Sequence, residues 1–278
     1  MTDTRFTVLD ETQRHPDLVK WISLILRQVA PTVNEITGLP LPPAVRFRLV
    51  TPKAWREEAR QGQHRILARD IADLELTPQE IGGIRGGLKA MGFVPVLVWP
   101  LVLASTQEAE DGHDETLIAP RALHHGGLLV DEAALHQLLI HELVHQMQTG
   151  ARGGAVWATF FPQKRGIATP GVSTVLEGHA AWADQQVTAR LLGAPADHRQ
   201  APKSLRYRLY NALPGIRRLG PSRAEYEQGS RLIGQAVTEG GTDLVNQVLK
   251  DVTYLPTEAE ITDPMSWIYR IERGLPRA

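Results

Sequence analysis

The sequence predicts an α+β protein, predominantly helical, with a small sheet beside one central helix. Three observations predict it. Val45-Arg46-Phe47-Arg48-Leu49-Val50 alternates apolar and polar residues with period two, the mark of a half-exposed strand. From residue 131 onward, long helical stripes with recognisable caps dominate, first over 131–148 and then from about Pro170 to Leu192. The first of these contains His141-Glu142-Leu143-Val144-His145, whose spacing sets two imidazoles one turn apart on a single helix face.

In chain order, residues 16–30 place Leu18, Val19, Ile22, Ile25, Leu26 and Val29 among charged residues, an amphipathic helix expected to end before Pro31. The turn-rich stretch from Thr37 to Pro43 leads into the period-two strand. Thr51-Pro52 opens a short helix to about Gln61, and Thr77-Pro78-Gln79-Glu80 has the form of another helix start. Gly82, Gly83, Gly86, Gly87 and Gly92 lack the strand-then-helix setting of a phosphate loop, which argues against nucleotide binding. Val94 to Leu103 reads as a buried strand, with helix as the alternative for so apolar a run. Thr116 to Pro120 and Leu128 to Val130 are short strand candidates ahead of the central helix. His124-His125-Gly126-Gly127 reads as a surface loop rather than a second metal site, because adjacent histidines point in different directions.

Residues 149–171, rich in glycine with Trp157, Phe160 and Phe161, form either a lid over a cleft or a loop packed on the core. A basic stretch at 202–223 interleaves Lys203, Arg206, Arg208, Arg217, Arg218 and Arg223 with Tyr207 and Tyr210. It reads as a solvated face, with an acidic group such as a substrate carboxylate as the alternative partner. Ser222 to Thr238, Thr242 to Val252 and Pro264 to Ile271 complete the chain as helices.

The central helix carries the chemistry. Asp131 is a credible N-cap, Gly150 a stop, and the helix is apolar nearly all round, as a centrally buried helix must be. Two neutral imidazoles on one face are what Zn²⁺ takes from a catalytic site with an open position. Glu142 lies about 100° round from His141, better placed to hold a water beside a cation than to bind it. A chance match to this motif is expected in roughly a few per hundred chains of this composition, so a third ligand is needed. Glu177 is the best candidate. It shares a stripe with Ala181, Asp184 and Thr188, while His179 points about 200° away. Small residues at 178, 180, 181 and 183 are expected to let the two helices approach closely.

Other classes are bounded by composition. A formal net charge of −1 over 278 residues argues against nucleic-acid partners. There are no cysteines, so thiolate sites and disulfides are excluded. Met1 to Val19 is mixed and charged, unlike a secretory signal. The longest apolar run, Phe93 to Ala104, is too short to span a bilayer core of about 30 Å. The expectation is a cytoplasmic protein without membrane partners, its oligomeric state open.

His141-Glu142-Leu143-Val144-His145-Gln146, Leu176-Glu177-Gly178-His179-Ala180 and Tyr226-Glu227-Gln228-Gly229 together resemble a zincin-like zinc metallopeptidase or hydrolase family of actinobacterial type, associated with deazaflavin-coenzyme biosynthesis. The endings Val237 to Gly241, Leu255-Pro256-Thr257 and Ile261 to Trp267 are similar too. The likeness covers about half the chain, from residue 128 onward. It implies a zincin architecture in which His141, His145 and Glu177 hold Zn²⁺ and Glu142 is the base. One departure stands out: such proteins often carry an acidic residue four positions after the ligand glutamate, and here that position is Ala181. Asp184, a turn further on, is the residue that could hydrogen-bond a ligand histidine instead.

The resulting expectation is a single zincin-like domain over 1–278, with a mixed N-terminal part at 1–127 and a helical metal-binding part at 128–278. Its reaction would be hydrolysis of a peptide or other amide bond in a peptide or small amide substrate. Tyr226, Tyr207 and Tyr210 are candidates for the oxyanion donor, Tyr226 preferred for its motif. The competing expectation is a zincin fold kept as a binding or regulatory module with weak or no turnover. Glu142 argues against it, since metal binding alone does not require that carboxylate.

Overall fold

The alternation that marks residues 45–50 as a strand also decides which face of the sheet is covered by what. The structure, a computed structural model, describes residues 4–196, 202–213 and 223–276. Strand β2 (Ala44–Leu49) turns Val45, Phe47 and Leu49 into the main core, where all three are fully buried. Its Arg48 points the other way and donates to Glu11, Glu58 and Glu115. β2 lies between β1 (Arg5–Asp10) and β4 (Asp114–Ile118), parallel to both, and β3 (Ala104–Glu108) runs antiparallel to β4, giving the order β1-β2-β4-β3. β3 is therefore an edge strand, with no strand on its outer side among the described residues.

Helix α1 (Pro16–Thr37) crosses from β1 to β2 on the core face. It does not stop before Pro31. Val33 and Thr37 beyond the proline are fully buried, and that packing outweighs the roughly 3 kcal/mol an internal proline costs a helix. On the opposite face, α2 (Pro52–Asp73) is twice the expected length, and its Trp55 packs with Trp99 and Leu117 in a second, smaller core. α3 (Pro78–Met91) starts with the anticipated Thr77–Glu80 capping box. The run after it is a helix, α4 (Val94–Val98), rather than a strand. Gly92 and Phe93 are themselves in the right-handed helical region, so the helical path from Pro78 to Val98 is nearly continuous. At 21 residues and mean hydropathy 1.3 this segment is long and apolar enough to cross a bilayer by length and composition, and none of it is buried.

His124 and His125 end a short helix, α5 (Pro120–Gly126), and Leu128–Val130 is a 3₁₀ turn instead of a strand. The two helices anticipated around the motif are α6 (Glu132–Ala151) and α7 (Thr169–Leu192); Gly193 ends α7 at φ 85°. Between them, Asp70 of α2 accepts hydrogen bonds from Thr159, Phe160 and Arg165, tying the connection down. α8 (Leu205–Ala212) precedes α9 (Arg223–Lys250), which breaks at Gly241 (φ 75°) as the double glycine suggests. Arg217, Arg218 and Ser222 lie outside the described residues. α10 (Glu258–Thr262) and α11 (Pro264–Glu272) close the chain.

Candidate metal centre

α6 is held at both ends of its burial. Asp131 accepts from the Ala134 N–H at 3.0 Å, capping the first turn. Further along, the Gln146 amide behaves as a peptide unit added to the sheet: its Oε1 accepts from the Arg46 N–H at 3.1 Å and its Nε2 donates to the Arg46 carbonyl at 2.9 Å. With the helix so fixed, His141 and His145 face α7, ring centroids 4.8 Å apart and nearly perpendicular.

α7 is positioned from its other side. A Cβ on Gly178 would lie 2.5 Å from the Gly229 backbone, and one on Gly229 would lie 2.8 Å from both Gly178 Cα and the Thr174 carbonyl. α7 and α9 thus cross backbone on backbone, which only glycine at both positions permits. Gly178 serves this crossing and not the α6–α7 approach expected of it. The crossing brings Glu177, beside Gly178, and Tyr226, about one turn before Gly229, to the same place.

The ligand atoms of His141, His145 and Glu177 all lie within 4.8 Å of one another. The two Nε2 atoms are 3.2 Å apart, and Glu177 Oε2 is 3.3 Å from that of His141 and 3.6 Å from that of His145. Bonds of about 2.0–2.1 Å meeting at the tetrahedral angle require donor separations of about 3.3–3.4 Å. His179 is not part of the set. It is buried, stacked on Trp182 at 5.8 Å, and burial, with a smaller push from His145, lowers it to about 4.

The far nitrogens of both rings are engaged. His141 Nδ1 is 2.9 Å from Asp184 Oδ2, and Asp184 Oδ1 accepts from Gln137 Nε2 at 2.7 Å. Asp184 thus occupies the role left open by Ala181. His145 Nδ1 is 2.9 Å from Gln148 Oε1, while Gln148 Nε2 donates to the Leu176 carbonyl at 2.9 Å. A carbonyl can only accept, so the amide orientation is fixed and Nδ1 of His145 must carry its proton. That leaves Nε2 of a neutral His145 as a bare lone pair directed at the cluster.

Two imidazole nitrogens and a carboxylate converging on one point make an electron-rich set that calls for a cation or a proton. Burial favours a neutral His141, but hydrogen bonds to Asp184 and Glu177, and their charges, prevail and raise it to about 10. Burial also opposes ionisation of Glu177, yet its contacts with the two histidines hold it well below the usual carboxylate range. The donor types, their spacing and the oriented far nitrogens fit Zn²⁺.

Glu142 is buried on the sheet side. Its Oε2 accepts from the Thr106 hydroxyl of β3 at 2.7 Å; Thr106 Oγ1 is 2.7 Å from Thr116 Oγ1, which accepts from Gln146 Nε2 at 2.8 Å. Because Gln146 donates and an ionised carboxylate only accepts, the chain runs one way, from Gln146 through Thr116 and Thr106 to Glu142. Tyr226 has its ring centroid 6.1 Å from that of His141. Burial, the charge of Glu177 and a hydrogen bond to it push its phenol up, so it remains a donor. Tyr207 and Tyr210 lie on α8, where Arg206 is 5.5 Å above the Tyr210 ring and Lys203 5.8 Å above that of Tyr207. Sequence reasoning missed Thr106 and Gln137, whose partners lie 36 and 47 residues away, and Gln148, which joins its near neighbour His145 to Leu176 on the next helix.

Residues 131–268 match the family model described as Zincin-like metallopeptidase. Among solved structures, a protein described as a "putative hydrolase with a novel fold" from Chloroflexus aurantiacus superposes with a TM-score of 0.55 at 15% identity, covering 94% of this chain and 92% of that one. That likeness is one of fold. Comparison with curated proteins gives no match. The family match places the similarity among zinc hydrolases at large and does not single out the deazaflavin-associated type.

Proposed function

We propose that the protein is a zinc-dependent hydrolase that cleaves a peptide or related amide bond, with His141, His145 and Glu177 holding the ion. The observation that carries this reading is the convergence of those three donors within 4.8 Å, beside a buried carboxylate. Bound there, zinc would lower the pKa of water from about 15.7 to about 7 and polarise the scissile carbonyl.

The chain's own residues supply the rest. Thr106 occupies Oε2 of Glu142, which directs the carboxylate and leaves Oε1 to take a proton from the attacking water and pass it to the leaving nitrogen. Asp184 and Gln148 keep the histidine rings from turning. Tyr226 stays protonated across the working range and lies against Glu177 and His141, suited to the developing oxyanion. A cavity of about 260 Å³ is lined by Glu177, Tyr226 and Gln228. It shares Pro170 and Glu258 with a second cavity of about 550 Å³. Together they favour an extended substrate over a small one. β3, with Thr106 on Glu142, has the free edge along which an extended backbone can pair.

Metal analysis of protein purified without added zinc, followed by digestion of a peptide library, tests the reading. Zinc near one per chain is expected, with cleavage lost but metal kept in Glu142→Gln, and metal lost in His145→Ala. Full metal occupancy with no cleavage by the native protein would favour a binding module. Equal cleavage by native protein and Glu142→Gln would remove that residue from the chemistry.

A further inference from the structure

The basic, tyrosine-bearing stretch after residue 202 plays no part in the metal centre, and neither does the exposed helical segment from Pro78 to Val98. The fold brings the two together. Arg206 of α8 lies 4.9 Å over the ring of Trp99, the residue that follows α4, and Arg121 lies 5.6 Å from the same ring. Ser204, the N-cap of α8, hydrogen-bonds His125 through both side chain and backbone, fixing the helix against α5.

What this arrangement presents to solvent is apolar and cationic. Met91, Phe93 and Val96 on one element and Leu205, Leu209 and Leu213 on the other are exposed by 49% (Met91) to 73% (Leu205). Leu205 and Leu209 lie one turn apart on one stripe of α8, and Leu213 follows at its C-terminal end. Arg85, Lys89, Arg121, Arg206 and Arg208, all exposed, accompany them. The sole acid within residues 78–98 and 202–213 is Glu80, bound to Lys164 at 2.9 Å. Exposed apolar side chains accompanied by cations are complementary to the headgroup boundary of an anionic bilayer. Arg85 and Lys89 in mid-segment suit a helix lying on such a surface rather than crossing it.

We propose that α3–α4 and α8 form a peripheral docking surface for anionic lipid. Its occupant is the lipid headgroup layer, with Phe93 and the α8 leucines entering the boundary and the arginines meeting phosphate. The surface is independent of the metal centre, so it stands or falls apart from the proposed hydrolysis.

Sedimentation of the full chain with phosphatidylcholine vesicles, with and without phosphatidylglycerol, provides the test. Binding is expected only to the anionic vesicles and to be released by salt. Leu209→Ser and Phe93→Ser should each weaken it about ten-fold, and Arg85→Gln and Arg208→Gln about five-fold each. All four positions are exposed, and unchanged circular dichroism and thermal unfolding would show that the variants fold. Absence of binding to anionic vesicles, or equal binding to both kinds, overturns the proposal. So does self-association in the ultracentrifuge that Leu209→Ser abolishes without any lipid binding, which would assign the surface to a second copy.

Discussion

Replacing Gln148 separates two hydrogen bonds that one side chain makes at the metal centre. Its Oε1 accepts from His145 Nδ1 and its Nε2 donates to the Leu176 carbonyl, both at 2.9 Å. Gln148→Leu removes both. The His145 bond orients a ligand ring, so its loss should weaken zinc by about 10- to 100-fold, equivalent to roughly 1.4–2.7 kcal/mol. The Leu176 bond joins α6 to the residue beside Glu177, and deleting both bonds should lower stability of the metal-free protein by about 2–3 kcal/mol. Gln148→Glu keeps an acceptor for His145 but cannot donate to the carbonyl. It should hold zinc about ten-fold more tightly than Gln148→Leu, while remaining destabilised. Zinc competition against a fluorescent chelator measures the first quantity and urea unfolding the second. Equal zinc affinity in wild type and Gln148→Leu, or equal losses of affinity in the two variants, would refute the reasoning.

Thr106→Val should leave zinc content unchanged and reduce kcat about 10- to 100-fold, the worth of a hydrogen bond to a charged group, with Thr106→Ser restoring most of it; steady-state kinetics on a cleaved library peptide decide. Gly229→Ala should cost about 2–3 kcal/mol, because its Cβ would meet the α7 backbone at 2.8 Å. Gly83→Ala, with open space around it in an exposed helix, should add about 0.5–1 kcal/mol, and thermal unfolding of the pair tests the contrast. Asp70→Asn should destabilise by about 2–4 kcal/mol at neutral pH, since Arg165 loses its buried partner. Although burial opposes it, hydrogen bonds from Thr159, Phe160 and Arg165 depress the pKa of Asp70. Its contribution is therefore complete above the unfolded value near 3.8 and fades as pH falls through the folded one, so the gap between wild type and variant should close in acid. A gap independent of pH in urea melts would contradict this.

The clustering of His141, His145 and Glu177 was legible because it is local. His141 and His145 lie on one helix, and Glu177 lies on the next helix to be formed, so periodicity alone says which faces they share. Even the substitution of Asp184 for an acid at 181 follows from the helical repeat. The supporting polar residues were not legible. Gln137 meets a carboxylate 47 residues away, Gln146 a strand 100 residues away, and Thr106 a second carboxylate 36 residues away. A glutamine or threonine has the same local signature whether it faces water or a buried partner. Helix and strand were confused at Val94–Val98 because a run apolar on every side has no period to read. At Pro31 the local rule was sound, and contacts from elsewhere in the fold overruled it.

The donor chain to Glu142 divides labour between the halves of the polypeptide. All three prospective ligands, and the carboxylate itself, lie within residues 131–268, whereas Thr106, Thr116 and the Arg46 peptide that aim the carboxylate come from earlier in the chain. Capture of an ion and competence to use it are thus inherited from different segments. A relative that kept the later segment but exchanged the strands would retain its metal and lose its aim.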